Sequence, residues 1–210
     1  MSTATMHIPA EDAELLRLPD PSGYTVDDLH ALPDDGRRYE LIDGSIIVSP
    51  SATVDHNIIA RWIANEIEKA APAGLAVGTD QSATVDRHNE PRPDIVVVRS
   101  KHLRRTPFPI ADAALVVEVV SPSSGLRDRE TKRALYPRAG IPSYWLVEPD
   151  EKRPTIRLTE FALGADKAYV RVADRVTGVF RTEAPWPVEL DLAALSARRA
   201  SLLEGAEDDA

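Results

Sequence analysis

Two runs of mostly β-branched residues, Pro93–Val98 (PDIVVV) and Ala114–Val120 (ALVVEVV), constrain what this chain can fold into more than any other feature. Apolar runs without polar alternation are strands covered on both faces, as the middle of an α/β sheet is. Each run nevertheless carries an acid. Asp94 begins the first, and Glu118 sits inside the second with apolar neighbours on either side. An ionised carboxylate in such a place is costly unless it is paired or coordinated to a cation. Glu118 therefore needs a partner.

The elements around these strands read from period and punctuation. YELIDGSIIVS holds two short apolar runs about Asp43-Gly44, a hairpin signal that puts Glu40 on the first strand. Ile58, Ile59, Trp62, Ile63 and Ile67 repeat with helical period, which predicts an amphipathic helix over Val54–Ala70. Leu75–Thr79 and Ser82–Asp86 read as short strands. After the break at Ser121–Gly125, RDRETKRALYPRAG reads as a short helix with Gly140 near its end, and Tyr144–Pro149 resumes an apolar strand. The fold class expected is α/β, a central mixed sheet flanked by helices with an N-terminal β-hairpin. The expected organisation is a frayed segment 1–23, one domain over 24–190, and a C-terminal helix with an acidic tail over 191–210.

Composition narrows the classes. The 210 residues include no cysteine, which removes disulfides, thiolate nucleophiles and Cys-ligated zinc, and fits a reducing, cytoplasmic compartment. The N-terminus carries acids where a signal peptide would carry bases, and no window approaches the roughly 18 apolar residues needed to span a bilayer, so a soluble, unprocessed protein is expected. A net charge of -9 argues against a surface that attracts nucleic acid everywhere. Between Arg99 and Arg138, however, nine Lys/Arg stand against four Asp/Glu. That stretch is either a local basic face, with Arg127, Arg129 and Arg133 as nucleic-acid contacts, or a set of solvated charges.

If the two strands are neighbours, Asp94 and Glu118 converge, and the backbone carbonyl of Val119 supplies a third oxygen. Hard oxygen donors suit Mg²⁺, which keeps several waters and shares substrate phosphates, with Mn²⁺ as a substitute. Lys132, on the next helix with Asp128 and Tyr136 at i, i+4 spacing, is placed to position water or neutralise a phosphate. Bland alternatives stand beside each role: Glu118 salt-bridged to Arg92 or Arg133, Asp94 as a turn residue, Lys132 as a surface partner of Asp128. His56, at the start of the long helix, is either a phosphate contact or a structural histidine. Tyr136 and Trp145 read as core residues.

The order YELIDG, SP…H on a helix, RPDIVVV, LVVEVVSPSS, a helix with K…Y, and AGIPSYWLVEP resembles the Uma family of restriction-endonuclease-like proteins, from about Arg37 to Phe161. Through the PD-(D/E)XK superfamily, the resemblance implies an αβββαβ core and Mg²⁺-dependent cleavage of DNA phosphodiesters, leaving a 3′-hydroxyl and a 5′-phosphate. It makes Asp94 and Glu118 the motif acids. Val120 stands where the superfamily has its lysine, and Lys132 takes the displaced position. Glu40 resembles an additional N-terminal glutamate of such nucleases, and Gln81 resembles polar residues that line this type of site.

Phosphate-binding, dinucleotide and nucleophile-elbow signatures are absent, and no histidine pair has i, i+4 spacing for zinc. Besides the Mg²⁺-dependent endonuclease, two readings stay open: a catalytically degenerate fold that binds nucleic acid or protein, and a metal-free carboxylate hydrolase. Cutting both strands of a duplex is simplest for a homodimer.

Overall fold

The computed structural model describes residues 22–49, 52–121 and 127–207. Helix α1 (Val26–His30) is closed at its start by a reciprocal Thr25–Asp28 capping box and leads to the hairpin β1 (Arg38–Ile42) and β2 (Ser45–Ser49). Between its strands, Asp43 and Gly44 take φ of 47° and 71°. This is the left-handed pair a two-residue hairpin turn requires. The tip is fastened as well: Tyr24 donates its N–H to Gly44 O at 2.8 Å and Gly44 donates its own to His88 O at 3.0 Å. A side chain on Gly44 would meet Gly23 Cα at 3.0 Å.

Helix α2 (Val54–Ala70) matches the span its apolar period predicts, with Thr53 capping the N–H of His56. It is followed by β3 (Leu75–Thr79), β4 (Ala83–Thr84), β5 (Ile95–Arg99), β6 (Phe108–Pro109) and β7 (Ala113–Val119). A wide helical turn, Arg127–Lys132, then runs directly into α3 (Arg133–Arg138). Strands β8 (Ser143–Pro149), β9 (Ile156–Leu163), β10 (Tyr169–Val176), β11 (Val179–Thr182) and β12 (Val188–Asp191) precede α4 (Leu192–Glu207).

Six strands form one mixed sheet in the order β10-β9-β8-β7-β5-β3. Only β7 and β8 are parallel, and the segment carrying α3 crosses between them; the other neighbours are antiparallel. In sequence, α2, β3, β5, β7, α3 and β8 make the expected αβββαβ core. On one face Ile95, Val97, Val117, Val119, Trp145 and Val147 pack against Ile59, Ile63 and Ile67 of α2 and against the β11–β12 hairpin. On the other, Val96, Val116, Tyr144 and Leu146 pack against Tyr136, Ile141 and Phe161. Both faces of β5 and β7 are covered, which is why their sequences do not alternate.

Two expected boundaries move. The strand anticipated over Ser82–Asp86 shrinks to Ala83–Thr84, which pairs with β6 outside the main sheet. The backbone there turns back on itself instead, Val85 N–H bonding Asn89 O and Ala83 N–H bonding Pro91 O. The first central strand begins at Ile95 rather than at Pro93, because Pro93 has no N–H to give a ladder and the Asp94 carbonyl is taken by Asp80 N–H at 3.1 Å.

Candidate active site

Antiparallel register sets Ile95 opposite Val117, so the next step places Asp94 opposite Glu118 at the end of the β5–β7 pair. The period-two rule then puts Glu118 on the face of Val116, beneath α3, against a buried apolar cluster. Glu118 is 1% exposed. Its Oε1 accepts the Tyr136 hydroxyl at 2.5 Å and lies 3.0 Å from Lys132 Nζ.

The same ammonium lies 3.0 Å from Glu40 Oε1. Glu40 reaches it because the β1–β2 hairpin is docked onto the segment before β5 by paired backbone bonds between Leu41 and Glu90, at 3.1 and 2.7 Å. That docking also brings Arg92 N–H to Glu40 Oε1 at 2.7 Å. Lys132 and Glu40 are 3% and 4% exposed. One cation thus joins two buried carboxylates, the arrangement that keeps an ion pair tolerable away from water. Burial, and then the charge of Glu118, push the Tyr136 hydroxyl well above its ordinary value, so it remains a donor across the neutral range.

Asp94 takes a different set of partners. Its Oδ2 accepts Val119 N–H at 2.7 Å, and its Oδ1 lies 3.1 Å from His56 Nε2. The two acids are therefore linked through the peptide that follows Glu118, while Asp94 opens outward. Its side chain is 24% exposed and borders a cavity of about 800 Å³ lined also by His56, Asn57, Arg61, Gln81 and Arg92. Asp80, which also lines this cavity, pairs with Arg38 at 3.0 Å and Arg92 at 3.3 Å.

The structure brings Glu40, Glu118 and Lys132 into one cluster, and Asp94, His56 and Gln81 onto one cavity. Glu118 pairs with neither Arg92 nor Arg133: Arg92 turns to Asp80, and Arg133 lies over the Phe161 ring, 5.6 Å from its centroid. The side chains of Arg127, Asp128 and Arg129 lie outside the described residues, and with them the expected contacts of Arg127 and Arg129. Tyr136 and Trp145 are fully buried, as core residues are, but sequence reasoning missed the hydrogen bond from Tyr136 to Glu118. Its spacing from Lys132 on the same helical face was the available signal.

Among the described residues no group of three or more His, Cys, Asp or Glu is arranged as a metal cage. The donors present are nevertheless carboxylate oxygens, and Asp94 retains acceptor capacity beyond its two bonds. Magnesium is held through one or two carboxylates, waters and substrate phosphates rather than by an all-protein cage, so this donor set fits it. No helix among the described residues is long and apolar enough to cross a membrane.

The six-stranded mixed sheet, its flanking helices and a lysine between buried acids define a restriction-endonuclease-like α/β protein. The chain belongs to the Uma2 family, described as "Putative restriction endonuclease", which it matches over residues 26–194. A crystal structure from Anabaena variabilis described as a "putative nuclease" shares the fold, with a TM-score of 0.63 and 19% sequence identity. The match covers 83% of this chain and 98% of that one. No curated protein shows a significant match.

Proposed function

We propose that the protein is a Mg²⁺-dependent endonuclease that hydrolyses DNA phosphodiester bonds. The observation that carries this reading is Lys132, held between Glu40 and Glu118 at 3.0 Å from each, beside an aspartate that faces an open cavity. Asp94 and Glu118, with the Val119 carbonyl, would hold Mg²⁺, and Mn²⁺ would substitute. When bound, the ion supplies Lewis acidity, lowering the pKa of water and offsetting charge on phosphoryl oxygens.

The chain's own groups do the rest. Asp94 is fixed by two bonds, one from the backbone of Val119 and one from His56, so its carboxylate is oriented before substrate arrives. Lys132 brings positive charge to a site where the phosphate becomes more negative as water attacks. Glu40 restrains Lys132, and Gln81 offers a polar edge on the wall of the cavity.

Supercoiled plasmid incubated with the protein and Mg²⁺ should be nicked, and EDTA should abolish the nicking. Asp94→Asn and Glu118→Gln, each confirmed as folded by circular dichroism, should lose at least about 100-fold in rate, the scale of removing one electrostatic contributor. Persistence of cleavage in EDTA, or in both variants, would overturn the reading. A second reading is favoured by the near-complete burial of Glu118 and Lys132: a degenerate fold that binds DNA, for which Mg²⁺ produces no cleavage of any substrate. Cutting of both strands would be served by a homodimer, to be checked by sedimentation.

A further inference from the structure

Helix α3 and the last residue of the turn before it present two occupied sides. Inward, Lys132 and Tyr136 meet Glu118. Outward, Arg133 and Arg138 join Lys167 of the β9–β10 turn and Arg171 of β10 around a cavity of about 420 Å³, with Glu130 the one acid in its lining. Four cations converge here in a chain whose net charge is -9. Such a concentration repels itself unless an anion shares it.

The protein supplies little of that anion. Among the described residues no carboxylate pairs with Arg133, Arg138 or Lys167, and Arg171 meets Asp174 at 3.1 Å with both side chains more than half exposed. The frame beneath the charges is fixed. Arg133 lies over Phe161, and Tyr169 stacks on Tyr144 at 5.6 Å while its hydroxyl donates to Ile141 O at 3.2 Å. Lys167 sits in a turn closed by Gly164 N–H to Ala168 O at 2.8 Å. Guanidinium groups on a fixed frame match phosphate oxygens, and cations spread over two elements match a polymer of phosphates better than a single small anion.

We propose that this groove binds the phosphate backbone of the DNA substrate, on the side of α3 opposite Glu118, so that strand contact and chemistry share one helix. The identity of the polymer rests on the nuclease reading. The groove itself is tested apart from cleavage, by fluorescence anisotropy of a labelled duplex in EDTA across a salt series. The triple variant Arg138→Gln, Lys167→Gln, Arg171→Gln changes only exposed side chains and removes their charge while keeping them polar. It should bind at least about 10-fold more weakly and lose about 2–3 from the log–log salt slope, since each phosphate contact contributes about 0.9.

Unchanged affinity and slope, or no binding by the unmodified protein, would overturn the proposal. So would tighter binding of RNA than of DNA, or displacement of the duplex by polyglutamate at equal charge, which would indicate an acidic protein partner. Binding lost in the triple variant of a protein that never cleaves would leave the groove standing and remove the hydrolytic reading. Cleavage with binding unaltered in the variant would do the reverse.

Discussion

Lys132 pairs with Glu40 and Glu118 at once, so its removal takes the shared cation from two buried carboxylates. Breaking a buried pair from one side typically costs about 3–5 kcal/mol. Lys132→Met, similar in length and uncharged, should lose that much in urea unfolding with EDTA present, and Mg²⁺ should restore part of it by binding the folded state. Equal stability of variant and parent would contradict the clamp. Tyr136→Phe removes one bond to a charged acceptor and should cost about 1–3 kcal/mol. The acid inside VVEVV was legible as a group needing a cation because its neighbours are all apolar, and Lys132 was legible from its place on the following helix. The burial of Glu40 was not. A glutamate on a hairpin strand looks solvated until the Leu41–Glu90 bridge, set by residues far along the chain, folds that strand against the site.

Turns between strands hold their own chemistry. Between β8 and β9, the Arg157 guanidinium, at 2.7 Å, and the Lys152 and Arg153 amides hold the Asp150 carboxyl at about 2, below the ordinary 3.8. A carboxyl depressed by folding adds stability above its unfolded value and loses it as pH falls through the folded one. Asp150→Asn should therefore be less stable than the parent at neutral pH, and the gap should close between about pH 4 and pH 2 in chemical denaturation series. A gap that stays constant over that range would show that the ionised form is not what the turn holds. The central elements were readable because β5 and β7 are built on unbroken apolar runs rich in valine and α2 repeats cleanly. The segment over Ser82–Asp86 was not, since Thr and Val there favour a strand while the neighbouring backbone draws their hydrogen bonds into a turn.

At the scale of the whole molecule, the C-terminal helix braces the start of α2, next to His56 of the cavity wall. Arg199 of α4 is 6% exposed and grips Asp55, in the first turn of α2, at 2.8–3.2 Å, while its Nη1 donates to the carbonyls of Asp150 and Arg153 at 3.0 Å each. Leu192, at the start of α4, belongs to the same core cluster as α2. Asp55 is 36% exposed and can be partly solvated when its partner goes, so Arg199→Ala should cost about 2–3 kcal/mol, below the range for a fully buried pair. It should also weaken cleavage through the neighbouring His56, in contrast to an exposed substitution on α4, with thermal unfolding and plasmid nicking as the paired measurements.

The grip of Arg199 on Asp55 spans 144 positions of sequence. During synthesis at about 5–20 residues per second, the residue that fastens the start of α2 is added on the order of ten seconds after the helix it fastens. The anchored form of α2, and with it the held orientation of His56 towards Asp94, is thus a late product of translation: a nascent chain can carry every acid of the site and still lack the brace behind it.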